Sequence, residues 1–147
     1  MTSPDAAAID HSREASDLRI AVFRLARRMR TQRAVDSMSD GQFAVLAALW
    51  VHGAHTLGEL ADRERVSAPA MTRTVNCLEE NGYLTRSADE NDGRKVVITL
   101  TDEGRGVVDE TARRRDAWVE EALAEITPAE RETLARAAEI MQRMVAR

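Results

Sequence analysis

The spacing of apolar residues changes along this chain from helical to extended and back to helical. Between about Ala15 and Arg33, Leu18, Val22, Leu25 and Met29 recur every three to four residues and predict a helix with one apolar stripe, its other faces filled with arginines. Ser39-Asp40-Gly41-Gln42 then reads as a capping box, in which serine and glutamine satisfy each other's free amides at a helix start. The helix it opens is expected to bury Phe43, Leu46, Leu49 and Trp50 and to stop near Gly53. A second box, Thr56-Leu57-Gly58-Glu59, begins a short helix with Leu57, Leu60 and Ala61 inward. Val66 and Ser67 interrupt the pattern. Ser67 is a good N-cap, Pro69 suits a first helical turn, and the next helix runs to about Asn81, where Gly82 stops it.

From Tyr83 the period is that of a strand. Tyr83 to Ser87 and Val96 to Leu100 form a hairpin around the polar tip Ala88 to Lys95, which carries an Asp-Gly turn signal. Thr101 opens a long helix reaching about Ile126, and Thr127-Pro128-Ala129-Glu130 is a third capping box. The last helix presents Leu134, Ala138, Met141 and Val145 on one side. The predicted fold class is mainly α with a small β-hairpin wing. One domain spans 1–147, with a winged helix-turn-helix module at 39–100 flanked by terminal helices at 15–35 and 101–147.

The two short helices from Leu57 to Glu64 and from Ala68 to Asn81 form a helix-turn-helix, whose second member can enter the major groove of duplex DNA. Met71, Val75 and Leu78 should face the core. That leaves Ala68, Pro69, Thr72, Arg73 and Asn76 outward, a small start for close approach followed by hydrogen-bonding groups. Ser67 and the free amides after it suit a phosphate. Arg94 and Lys95, at the tip of the hairpin that follows directly, are placed to reach a neighbouring minor groove.

Charge complicates this picture. The net charge is −4, where a DNA-binding domain is expected to be basic. Arginines at 19, 24, 27, 28, 30 and 33 lie early, glutamates crowd the last third, and from Arg63 to Lys95 the charges cancel. Pattern rather than sum therefore carries the DNA reading, and a winged-helix interaction module without DNA binding is its rival. The single cysteine, Cys77, cannot close an internal disulfide and points to a reducing compartment. Met1 to Asp17 lacks the basic start and apolar run of a signal peptide, and no apolar run approaches the roughly 18–20 residues of a membrane span. A cytoplasmic protein with no membrane partner is expected.

The stretch from Ser67 to Gly104 resembles the MarR family of bacterial transcription regulators. The matching pieces are Ser67-Ala68-Pro69-Ala70-Met71-Thr72-Arg73, Leu78-Glu79-Glu80-Asn81-Gly82-Tyr83-Leu84, Asp89-Glu90-Asn91-Asp92-Gly93-Arg94, Val96-Val97-Ile98-Thr99-Leu100-Thr101 and Gly104. The order of helices agrees along nearly the whole chain. The resemblance implies a homodimer of intertwined terminal helices, a palindromic operator in double-stranded DNA and, for a ligand-responsive repressor, a small aromatic or anionic effector. It makes Arg94 the wing arginine, Asp92 the carboxylate that braces it, and Arg86 a residue near the DNA backbone. Phe43, Leu46 and Trp50, with Arg24 opposite an anion, would line the effector pocket. Gly93 departs from the pattern, standing where many members carry a further arginine. The apolar stripes on the terminal helices supply a separate motive for a dimer, since a monomer would leave much of them in water.

Other candidates are weaker. Cys77 has Glu79 and Glu80 nearby rather than a cation that would activate it, and reads as a small core residue. His52 and His55, with His11 far away, lack the ligand set of a zinc site. Neither a phosphate-cradling glycine loop nor a nucleophile with a histidine base is present, so neither catalysis nor a cofactor is expected.

Overall fold

Six helices and one antiparallel hairpin account for the described residues. The structure, a computed structural model, describes the backbone of residues 4–146 and the side chains of 11–146. In chain order the elements are α1 (Pro4–Arg30), α2 (Asp40–His52), α3 (Leu57–Glu64), α4 (Ala68–Glu80), β1 (Leu84–Ala88), β2 (Val96–Leu100), α5 (Asp102–Ala124) and α6 (Pro128–Val145). This is the expected mainly helical, winged helix-turn-helix architecture. The chain divides into two compact units, Arg30–Arg114 and a helical unit of Met1–Met29 with Arg115–Arg147.

Capping chemistry sets the starts of α2, α3 and α6 as expected. Ser39 accepts the Gln42 amide while Gln42 accepts that of Ser39; Thr56 with Glu59 and Thr127 with Glu130 repeat the reciprocal pair. The Thr56 and Thr127 amides hold the Glu59 and Glu130 carboxyls below their ordinary pKa.

The unit Arg30–Arg114 owns a dry core. Val45, Leu46, Leu60, Met71, Val75, Leu78, Leu84 and Ile98 are all at most 2% exposed. In the hairpin Leu84 pairs with Leu100 and Ala88 with Val96, and His55 adds a bridge to Ile98 through both main-chain groups. Between α4 and β1 the chain turns at Gly82, whose φ of 79° is a conformation glycine adopts without strain. The Tyr83 carbonyl after it accepts from the Thr101 amide and lies so close to α5 that a Cβ on Gly104 would stand 2.0 Å from it. Gly104 is therefore a packing requirement.

Arg33 organises the connection from α1 to α2. Its guanidinium donates to the carbonyls of Arg30 and Met38 and to the Asp40 carboxylate. Fully buried Thr111 on α5 accepts the Ala34 amide at 3.1 Å. The apolar pattern carries the first helix to Arg33, but α1 ends at Arg30 because these bonds hold the following residues out of it. At its other end α1 begins at Pro4, well before Ala15: the alanines at 6–8 favour helix without marking an apolar stripe. Two further expectations need correction. β1 begins at Leu84, one residue later than Tyr83, because Tyr83 still closes the end of α4 by donating its amide to the Leu78 carbonyl. Trp50 is 49% exposed rather than buried, since Val45, Leu46, Ala48 and Leu49 fill the inner face of α2 and turn its position outward.

In the helical unit, Thr127 caps α6 and Arg131 Nε donates to the Leu123 carbonyl, closing the turn after α5. Ala15, Leu18, Val22, Met141 and Met144 line an apolar groove of about 430 Å³. None of the side chains described in this unit is buried.

Candidate nucleic-acid interface

The second helix of the helix-turn-helix, α4, stands on a fixed base. Met71, Val75 and Leu78, at spacings of four and three, seat one face in the core and are at most 1% exposed. The opposite face is free for other use. Ser67 caps it by accepting the Ala70 amide at 3.3 Å, and Ala68 and Pro69 lie exposed in the first turn, which has no acidic residue. Thr72 is half-buried and donates its hydroxyl to the Ala68 carbonyl at 2.9 Å. Arg73 and Asn76 are exposed. The five residues expected outward thus share one surface, and its first members, Ala68 and Pro69, lie at the end where the helix dipole is positive.

The turn between α3 and α4 carries a feature the sequence does not announce. Arg65 closes α3 in the left-handed region, φ 54° and ψ 44°, where a non-glycine residue costs roughly 1–2 kcal/mol. Its amide donates to the Asp62 carbonyl, and the Val66 amide to that of Ala61, so the tight turn that aims α4 is held by main-chain bonds.

The wing is built by a carboxylate whose part the sequence leaves open. Asp89 Oδ1 accepts the amides of Asn91 and Asp92 at 2.7 and 3.0 Å, an Asx turn that holds its carboxyl below the ordinary pKa. The Lys95 amide then donates to the Asp92 carbonyl, and the Asp89 amide to that of Lys95, closing the tip. Gly93 does not take positive φ, so the Asp-Gly signal marks the turn but not the two-residue hairpin type it usually accompanies. Asp92 Oδ1 accepts the Arg94 main-chain amide at 3.1 Å; among the described residues the two side chains make no ion pair. Arg94 and Lys95 are exposed, as a groove contact needs.

Arg86, expected near the DNA backbone, has partners within the protein. Its guanidinium donates to Glu79 at 2.5 Å and to Asn76 at 2.8 Å, so it is tied to α4 across the start of the wing. The expected pocket residues fall apart by burial. Leu46 is 0% exposed and belongs to the core, Phe43 is half-buried, and Trp50 lies half in water. Arg24 lies exposed on α1, in the helical unit. Cys77 is half-buried and accepts a hydrogen bond from Gln42 Nε2 at 3.2 Å, beside a small cavity of about 70 Å³. Among the described residues no helix is long and apolar enough to cross a membrane.

The sequence and the fold both match those of known proteins. A family model described as the MarR family matches residues 38–96. An HTH-type transcriptional regulator of Mycobacterium tuberculosis is 38% identical over 134 residues, covering 91% of this chain and 94% of that protein. A transcriptional regulator structure from Pseudomonas aeruginosa superposes with a TM-score of 0.83 at 28% identity, over 93% of this chain and 97% of the other. At 17% identity the fold also matches a mutant of MepR from S. aureus bound to an oligodeoxyribonucleotide, with a TM-score of 0.69 over 90% of this chain and 97% of that one.

Proposed function

Because this chain belongs to the MarR family of DNA-binding transcription regulators, we propose that it acts as a homodimeric repressor on a palindromic operator and is released by a small effector. One observation carries the DNA half of this reading. A capped helix buries Met71, Val75 and Leu78 while Ala68, Pro69, Thr72, Arg73 and Asn76 share its outer surface, with Arg94 and Lys95 exposed on the adjoining wing. In this reading α4 lies in the major groove with its N-terminal turn at the base edges, and the wing arginine enters the minor groove. Ser67 and the first amides of α4 meet a phosphate. The net charge of −4 makes the local arrangement of cations, rather than the overall field, responsible for attraction.

The terminal helices support the dimer. Leu18, Val22, Phe23 and Leu25 on α1 and Leu134, Ile140 and Met144 on α6 are all 39–62% exposed in the single chain, more apolar surface than a soluble monomer ordinarily leaves in water. A two-fold partner would cover it and present two copies of α4 to two half-sites. A small aromatic or anionic effector is the ligand this reading expects. Phe43 and Trp50 keep accessible surface for one, whereas Leu46 would act only from behind; Arg24 is exposed on the helical unit.

The test is binding of the purified protein to its own upstream DNA across a salt series. Affinity that falls steeply with salt, the mark of counterion release from phosphates, supports the proposal. Binding no stronger than to random duplex, together with tight capture of a protein partner, would favour the interaction module instead.

A further inference from the structure

Arg86 and Asn76 meet each other on the surface that faces DNA in the proposed function. Arg86 sits mid-strand in β1 with its side chain 29% exposed, Nη1 on the Glu79 carboxylate and Nη2 on Asn76 Oδ1. Glu79 lies three residues beyond Asn76 on the same helix face, so one guanidinium spans both. Its charge is answered within the protein instead of being offered to a phosphate.

The bond to Asn76 has a consequence for readout. A guanidinium has donors only, so the end of the amide facing it must be the oxygen, and the NH2 end is turned away from Arg86. Among the described residues that NH2 finds no protein acceptor. An unconstrained asparagine reads adenine by accepting from N6 and donating to N7 at once. With Oδ1 held against Arg86, the amide is turned so that its donor half is presented. Guanine offers that donor an acceptor at N7 and O6, adenine at N7 and thymine at O4, whereas the cytosine edge carries only an amino donor.

We propose that Arg86 is a positioning residue that fixes Asn76 with its donor end outward, disfavouring cytosine at one position of each half-site. This rests on α4 lying in the major groove. Glu79 completes the device by holding the Arg86 guanidinium against α4.

Selection of binding sites from randomised duplexes tests it, with the wild type, Arg86→Met, Glu79→Ala and Asn76→Ala, each checked for folding by thermal melt. The wild type should show a half-site position from which cytosine is depleted. Asn76→Ala should lose that restriction. Arg86→Met keeps an apolar stem without donors; with the Asn76 amide free to turn its oxygen outward, it should admit cytosine at the same position and bind the wild-type site about tenfold more weakly. Its salt slope should stay that of the wild type. Glu79→Ala frees the guanidinium, and its salt slope should steepen by about 0.9 for each phosphate newly neutralised. The proposal is overturned if Arg86→Met keeps the base preference and flattens the slope, which would make Arg86 a phosphate contact. It is equally overturned if Arg86→Met changes neither, or if Asn76→Ala keeps the restriction. Should Arg86→Met not fold, an unchanged slope and preference in Glu79→Ala would overturn it as well. A wild type that enriches no sequence would instead remove the groove placement on which the proposal stands.

Discussion

The two units of this chain solve the same packing problem in opposite ways. The Arg30–Arg114 unit buries its apolar faces against its own elements, with Leu46, Leu60 and Val75 fully out of water. In the helical unit none of the described side chains is buried, although its helices also carry apolar stripes. Phe23 on α1 is 62% exposed and Met144 on α6 is 54%. The difference separates two jobs. The first unit holds α4 and the wing rigidly on its own core, as a reader of DNA requires. The second leaves its apolar stripes in water, and in the proposed dimer a two-fold partner would cover them.

Substitutions can break this contrast. The largest effect is expected at Gly104 in the self-sufficient unit. Gly104→Ala sets a methyl against the Tyr83 carbonyl and should cost about 3 kcal/mol, read as a lower urea midpoint. A midpoint equal to the wild type would mean the approach of α5 to Tyr83 is loose. Next, Phe23→Glu should weaken self-association by about 2 kcal/mol or more, measured by sedimentation at several concentrations, because a charge would enter a covered apolar face. Unaltered association would show that this face stays in water.

Arg94→Ala should lower DNA affinity by about 1–3 kcal/mol while sedimentation still reports the parent assembly. Equal affinity at physiological salt would remove the wing from the interface. Smallest is an acid effect on α5. Hydrogen bonds from Arg113 and Arg114 lower the Glu110 carboxyl to about 2. A carboxyl lowered on folding contributes stability above its ordinary value, 4.5, and that contribution fades as pH falls towards about 2. An NMR titration of Glu110 should place its midpoint near the lower value. A midpoint near 4.5 would show the two arginines free.

Much of this fold is legible in the sequence because its signals are local. The capping boxes at Ser39, Thr56 and Thr127, the proline at 69 and the stop at Gly82 are short-range chemistry, and each stands where the pattern puts it. Met71, Val75 and Leu78 face inward because a helix period has one solution for that run. Trp50 escapes the pattern because α2 is apolar nearly all round, so periodicity cannot choose its face. The site is legible as a surface rather than as a network. Arg73 and Arg94 stand exposed as expected, but the Asp89 turn and the grip of Arg86 on Asn76 and Glu79 join residues up to ten positions apart across two elements. No spacing rule signals such bonds. Nor does an apolar stripe say whether its partner belongs to the same chain, and that is why the two units look alike in sequence and differ in burial.

Footprinting of the full-length protein on its upstream DNA tests the division of labour most directly. A dimer joined through the helical unit and reading through α4 should protect two symmetric half-sites with centres about 10 base pairs, one helical turn, or a multiple of that apart. Protection of a single half-site by a monomer, or of no defined sequence, would contradict it.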